Sequence, residues 1–221
     1  MKKIILCGAL ALFGFFSANA QDAQFGVKAG VNLASLNGDN EGDISSRTSF
    51  HIGAVAEFKI SDKFSFQPEL MYSAQGAKEE YKETYSGGGF TYTDEESAEI
   101  KLDYINIPLM AKFYVAEGFS LEAGPQVGFL ISAEEEYEFT ETASDGTTTE
   151  VVTGSETEDV KDYVSGIDFG LNFGVGYKLD SGLNFGARYN LGLGNVNDAE
   201  GSDNYKIHNS VLQVSVGYMF N

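Results

Sequence analysis

One cysteine, three prolines, two histidines and no tryptophan occur in 221 residues, and each shortage excludes something. Cys7 falls in the apolar opening stretch, so the rest of the chain has neither a structural disulfide nor a thiolate metal site. His51 and His208 leave little material for imidazole chemistry. Basic residues number 14 against 33 acidic ones, a formal net charge of −19, and such a surface repels nucleic acid. Beyond Phe16 no apolar run approaches the roughly 20 residues that a membrane-spanning helix requires.

What is present begins with a secretion signal. Lys2 and Lys3 form a positive start, Ile4 to Phe16 a short apolar stretch, and Ala18-Asn19-Ala20 the small residues that a signal peptidase accepts. Cleavage after Ala20 is expected, which leaves residues 21–221 as one domain. The whole chain is rich in glycine, with 26, and in aromatic rings, with 12 tyrosines and 17 phenylalanines.

The mature segment alternates apolar and polar residues in eight stretches of about ten residues, the signature of half-buried strands. The first sets Phe25, Val27, Ala29, Val31 and Leu33 against Gly26, Lys28, Gly30 and Asn32. Similar alternation runs through 50–60, 64–73, 105–113, 119–129, 167–179, 183–192 and 212–220. In the fourth stretch Ile100, Leu102 and Tyr104 fall on the opposite parity from Ile105 and Ile107. A bulge near Tyr104 is expected to bring them to one face, because an inserted residue reverses which side chains point out.

The connectors alternate as well: loops of about 12, 22, 31 and 16 residues are separated by three- or four-residue turns. None of the apolar-parity positions carries a charge, as lipid requires, since a basic residue at mid-bilayer costs about 2–4 kcal/mol. These features predict an all-β fold, an eight-stranded antiparallel up-and-down transmembrane barrel with its termini on the periplasmic side of a bacterial outer membrane. Phe58, Phe64, Phe113, Phe119, Tyr177, Phe185, Tyr218 and Phe220 fall beside the short turns, whereas Tyr72, Phe129, Tyr163 and Tyr189 fall toward the long loops. They are expected to form two interfacial aromatic girdles.

The opening Phe25-Gly26-Val27-Lys28-Ala29-Gly30-Val31-Asn32, the Tyr104-Ile105-Asn106-Ile107-Pro108-Leu109 segment, Gly124-Pro125 and the closing Gly217-Tyr218-Met219-Phe220 carry a resemblance. They resemble the PorT-like outer-membrane β-barrel proteins of Bacteroidota, often labelled "porin family", over essentially the whole mature chain. The architecture is similar to OmpX-like and OmpA-like barrels, and no anchoring peptidoglycan-binding domain is expected after Phe220. The resemblance implies a barrel and little about activity. One member of that family is associated with a secretion and gliding apparatus.

Eight strands enclose an interior roughly filled by side chains. Lys28, Glu57, Lys59, Glu69, Lys112, Glu122, Asp168 and Arg188 fall on inward parity and are expected to form an ion-pair network that plugs it. A narrow conductive path for small solutes is the alternative. Residues 132–162 hold eleven acids against one base, and together with 77–98 they read as outward hairpins. Tyr81 and Tyr85 are expected to face Phe90 and Tyr92, and Tyr137 and Phe139 to face Val151 and Val152. These loops are the expected contact for an external protein or surface partner, beside outer-membrane lipid and the barrel-assembly machinery.

An enzyme is the rival class. His51 and His208 are expected near the outer rim, with Ser49, Ser210 and Asp203 in reach by sequence, but no nucleophile elbow or phosphate loop accompanies them. Gly192-Leu193-Gly194 lacks the rest of a dinucleotide motif. No acidic spacing matches a calcium loop. The expectation is therefore no catalytic residue, no metal and no cofactor.

Overall fold

The computed structural model describes residues 23–38, 44–199 and 205–220. The expected signal peptide over 1–20, Cys7 within it, and Asp203 lie outside the described residues. The strands are β1 (Ala23–Gly38), β2 (Ile44–Lys59), β3 (Phe64–Gly87), β4 (Phe90–Ala116), β5 (Phe119–Ser144), β6 (Thr149–Asp159), β7 (Ile167–Lys178), β8 (Leu183–Gly192) and β9 (Ile207–Phe220). Each ring strand pairs antiparallel with its neighbours, and β1 with β9 and β4 with β5 complete an eight-membered ring. β6 stands outside that ring and, among the described residues, pairs with β5 alone. Closure satisfies the backbone donors and acceptors of the ring without an open edge.

The alternation in the sequence becomes two surfaces. Outward positions such as Val27, Phe50, Leu70, Phe173, Val214 and Val216 stay exposed, and Val214 keeps 58% of its surface open. An exposed apolar band of that extent, without a charge, demands a non-aqueous surrounding. The inward positions carry Asn, Gln, Glu, Lys and Arg, and most are buried.

Strand β4 corrects one expectation. Its parity runs unbroken from Leu102 to Lys112, and Leu102, Tyr104, Asn106 and Met110 all point inward. The irregularity lies on the partner strand: Asp103 pairs with Ser132 and Tyr104 with Leu130, which leaves Ile131 of β5 as the extra residue. Parity reverses on β5 instead, so Leu130 and Ala133 both face the interior. An apolar residue out of phase on one strand does not reveal which strand of a pair carries the bulge.

At the long-loop rim β3, β4 and β5 run on past the ring, and with β6 they make a four-stranded projecting sheet. Its last contact with β2 is at Glu79, and from there to Gly87 strand β3 rises roughly 25 Å at about 3.3 Å per residue. Gly88 and Gly89 turn it back into β4 with φ of 65° and 87°, the positive-φ pair that a two-residue hairpin loop requires.

Candidate functional site

Within the ring the interior is layered. Nearest the short turns, Glu57 of β2 accepts from the hydroxyl of Tyr114 at 2.5 Å and from Lys178 at 3.1 Å. Deeper, Lys112 lies 3.2 Å from Glu122 and donates to Gln67 at 3.2 Å. At the centre stands Glu69, whose side chain is fully buried. It receives Lys28 at 2.7 Å, Gln67 at 2.7 Å, and the two terminal nitrogens of Arg188 at 2.8 and 2.9 Å. Arg188 also reaches Glu122 at 3.4 Å.

Four bases (Lys28, Lys112, Lys178, Arg188) thus meet three acids (Glu57, Glu69, Glu122) across seven of the eight ring strands. Near-balance matters, because an unpaired ion in a low-dielectric interior costs several kcal/mol. Gly176 makes the room: a Cβ there would come within 2.5 Å of Glu122 Oε1. The cavity left beside this layer, lined by Lys28, Glu69, Lys112, Glu122 and Arg188, measures about 30 Å³, room for a few water molecules.

Above the ions lies a layer of amides. Asn32 bridges His51 at 2.8 Å, Ser73 at 3.1 Å and Gln213 at 3.0 Å, while Asn190 donates to Asn172 and Asn172 to Gln126. Higher still, Leu36, Ala77, Leu102, Tyr104, Leu130, Ala133 and Val196 form a buried apolar cluster beneath the long-loop rim. The sequence reading missed this cluster together with Lys178, Gln67 and Tyr114. Lys178 had a signal, since it shares the inward parity of Asp168 and Gly176.

Of the eight expected interior ions, six join this layer and two do not. Lys59 is a correction: it lies exposed at the short-turn rim and pairs with Asp62 at 3.3 Å, because β2 ends there and the wall no longer encloses it. Asp168 is buried but sits higher, where its Oδ2 accepts from Asn209 at 2.9 Å and among the described residues no base lies within ion-pair distance. His51 is likewise a correction, being buried in the amide layer and not at the rim. His208 donates from Nδ1 to the carbonyl of Gly194 at 2.7 Å. Ser49 donates to Ala74 O, and Ser210 shares a 2.5 Å hydrogen bond with Tyr189, so neither serine touches a histidine. Among the described residues no group of three or more His, Cys, Asp or Glu side chains converges to hold a metal.

The projecting sheet has two unlike faces. Cross-strand register places Tyr85, Tyr92 and Ala143 in one row, Glu83, Asp94 and Glu141 in the next, and Tyr81, Glu96 and Phe139 in the third. These rows continue the inward parity of the barrel. The intervening rows hold Thr84, Thr93 and Thr142, then Lys82, Glu95 and Thr140, then Glu80, Ser97 and Glu138. Tyr85 does pair with Tyr92, and their rings stack at 5.1 Å. Two expected pairings are corrected: Tyr81 faces Glu96, and Tyr137 and Phe139 face Glu156 and Gly154. Register counted outward from the turns decides this: Gly87 pairs with Phe90 and Ser144 with Thr149, which puts Tyr81 opposite Glu96 and Phe139 opposite Gly154. The Tyr81 hydroxyl donates to Glu83 at 2.8 Å, and this bond to a carboxylate holds the phenol above its ordinary pKa.

At the β5–β6 tip Asp145 Oδ1 accepts from the amides of Thr147 at 2.8 Å and Thr148 at 2.6 Å. The Thr148 and Thr147 amides hold the carboxyl below its usual range. A depressed folded-state pKa contributes order that is present above the unfolded value and lost as pH falls through the folded one. Protection of the Thr147 and Thr148 amides from hydrogen exchange is therefore expected to persist at neutral pH and to collapse only in acid below the ordinary Asp range. Protection that survives Asp145→Ala unchanged would remove this cap from the account.

The sequence model of the outer membrane protein beta-barrel domain family matches residues 19–198. The chain belongs to that family. Its place is the bacterial outer membrane, where the charge-free outer band meets lipid. Among solved structures, Ail, the attachment invasion locus protein of Yersinia pestis, is 9% identical and covers 90% of this chain and 100% of its own, with a TM-score of 0.45. Neisserial surface protein A is 18% identical, with the same 90% and 100% coverage and a TM-score of 0.42. CarO of Acinetobacter baumannii is 13% identical, covers 87% of this chain and 97% of its own, and has a TM-score of 0.36. No curated protein matches the chain.

On this outer-membrane barrel Phe58, Phe64, Phe113, Phe119, Tyr177, Tyr218 and Phe220 lie on the outer wall toward the short turns. Phe64 and Phe113 are cross-strand partners with centroids 4.8 Å apart. Tyr72, Phe129 and Tyr189 lie farther toward the opposite rim, and Tyr72 meets Phe50 at 5.4 Å.

Proposed function

We propose that this protein is a non-enzymatic integral outer-membrane barrel with a closed lumen, whose projecting acidic hairpins are its working surface. In this reading the signal peptide is removed after Ala20, the barrel-assembly machinery inserts the chain, and the short turns and both termini face the periplasm. The hairpins over 77–98 and 132–162 then stand outside the cell, where they brace the surface or meet an external protein or surface partner. The resemblance to PorT-like barrels of Bacteroidota belongs to this reading too.

The observation that carries it is the Glu69 layer. Side chains from seven strands meet across the full width of the ring, and the cavity beside them measures about 30 Å³. A hydrated solute needs far more room than a few water molecules. The apolar cluster around Leu102 and Tyr104 adds a second obstruction above it.

Reconstitution into planar bilayers tests the closed lumen directly. The wild-type protein is expected to give no stable single-channel steps at moderate voltage. Reproducible open levels would put small-solute passage in place of this reading.

A further inference from the structure

We propose that the inward-parity face of the projecting sheet docks an extended polypeptide rich in lysine and arginine, a partner class that rests on the hairpins being the working surface. Three observations converge. First, charge is sorted by face. The bases of this sheet, Lys78, Lys82 and Lys101, all lie on the outward-parity face, where each pairs with a carboxylate, Glu80, Glu95 and Glu136. On the other face every charge is negative, and none of its carboxylates has a base within ion-pair distance among the described residues.

Second, the carboxylates without a base share this face with aromatic rings, an acidic row of Glu83, Asp94 and Glu141 lying between the Tyr85–Tyr92 row and the Tyr81–Glu96–Phe139 row. Tyr81 and Tyr85 keep 53% and 50% of their surface exposed, which is unusual for large rings on a solvated sheet. Tyr85 and Tyr92 stack nearly parallel, 17° apart, in the row next to Glu83 and Asp94. A cation over such a ring gains quadrupole attraction, and the neighbouring carboxylate adds a charge-assisted bond. A hydroxyl-rich face would serve solubility as well, and the opposite face is built that way from Thr84, Thr93, Thr140 and Thr142. Solubility alone therefore does not account for where the aromatics lie.

Third, the geometry fits a strand better than a globule. Acidic and aromatic side chains recur along the arms on one face, which matches side chains that return to one face every second residue of an extended chain. Complementary charge would also speed the encounter at low salt.

Fluorescent oligolysine, with oligoglutamate as its counterpart, tests this on the full-length barrel in detergent at fixed ionic strength. Oligolysine is expected to bind and oligoglutamate to fail. Tyr85→Ser with Tyr92→Ser is expected to weaken oligolysine binding roughly tenfold at unchanged net charge. Glu83→Gln with Asp94→Asn is expected to do at least as much. Glu80→Gln with Glu138→Gln removes the same charge from the opposite face and is expected to leave affinity within about twofold. Unchanged heat-dependent gel mobility confirms that each variant is folded. Equal losses from the two faces would reduce the effect to net charge and overturn the proposal, as would indifference to the tyrosine pair. Stable conductance of the wild type would sink the closed-barrel reading alone, so the two failures are distinguishable.

Discussion

Glu69→Ala is expected to lower the unfolding free energy of the folded barrel by about 3–5 kcal/mol. The carboxylate is fully buried and accepts four hydrogen bonds, one each from Lys28 and Gln67 and two from Arg188. Its loss changes the layer from four bases and three acids to four and two. Lys28 is left with no ion partner, and Arg188 keeps only Glu122, at 3.4 Å. Breaking a buried pair from one side costs more than the pair contributes, because the stranded charge still lacks water. Glu69→Gln keeps the shape and one acceptor and is expected to cost less. Lys28→Met added to Glu69→Ala is expected to recover part of the loss, since it removes one stranded cation. Urea titration in lipid vesicles, followed by gel mobility, reads all three. A cost below about 1 kcal/mol for Glu69→Ala would mean that water already reaches the layer, and the closed lumen would fail with it.

Val214→Arg is expected to destabilise the lipid-embedded barrel by about 2–4 kcal/mol, and Phe220→Arg by no more than about 1. Both side chains stand on the outer face of β9 and are about half exposed, at 58% and 51%, so loss of packing alone would predict similar effects. Their depth differs. Val214 sits mid-strand, flanked by Val31 and Ala187, whereas Phe220 ends the strand at the short-turn rim beside Phe25. An arginine at the rim extends its guanidinium to the headgroups, and one at the middle does not reach them. Equal costs at the two sites would place the hydrocarbon slab elsewhere on the barrel.

Much of this architecture was legible before the fold was seen, because a β-strand writes its two faces into alternate letters. Phe25 to Leu33 against Gly26 to Asn32 is an outside and an inside, and the short Ser61-Asp62-Lys63 and Asp180-Ser181-Gly182 connectors mark one rim. The inward ions were legible for the same reason, but their partners were not. Glu69 and Arg188 are 119 residues apart, and only the closure of β1 on β9 and the stagger of the ring bring them within 2.8 Å. Lys59 shows the reverse error: its parity is correct, but the strand ends before the wall can enclose it.

By itself, the sequence determined the number of ring strands, the lipid-facing surface, the acid-rich hairpins and the short-turn rim, since period-two patterning and turn chemistry are local properties of the chain. Tertiary structure alone decided which interior ions meet, that Leu102 and Tyr104 turn inward into the apolar cluster beneath the long-loop rim, and that the bulge sits at Ile131 on β5. It also decided that the aromatics and unpaired acids of the projecting sheet share one face. Each of these depends on register between strands, which is fixed by ring closure and by packing across the lumen, and no single strand carries that information.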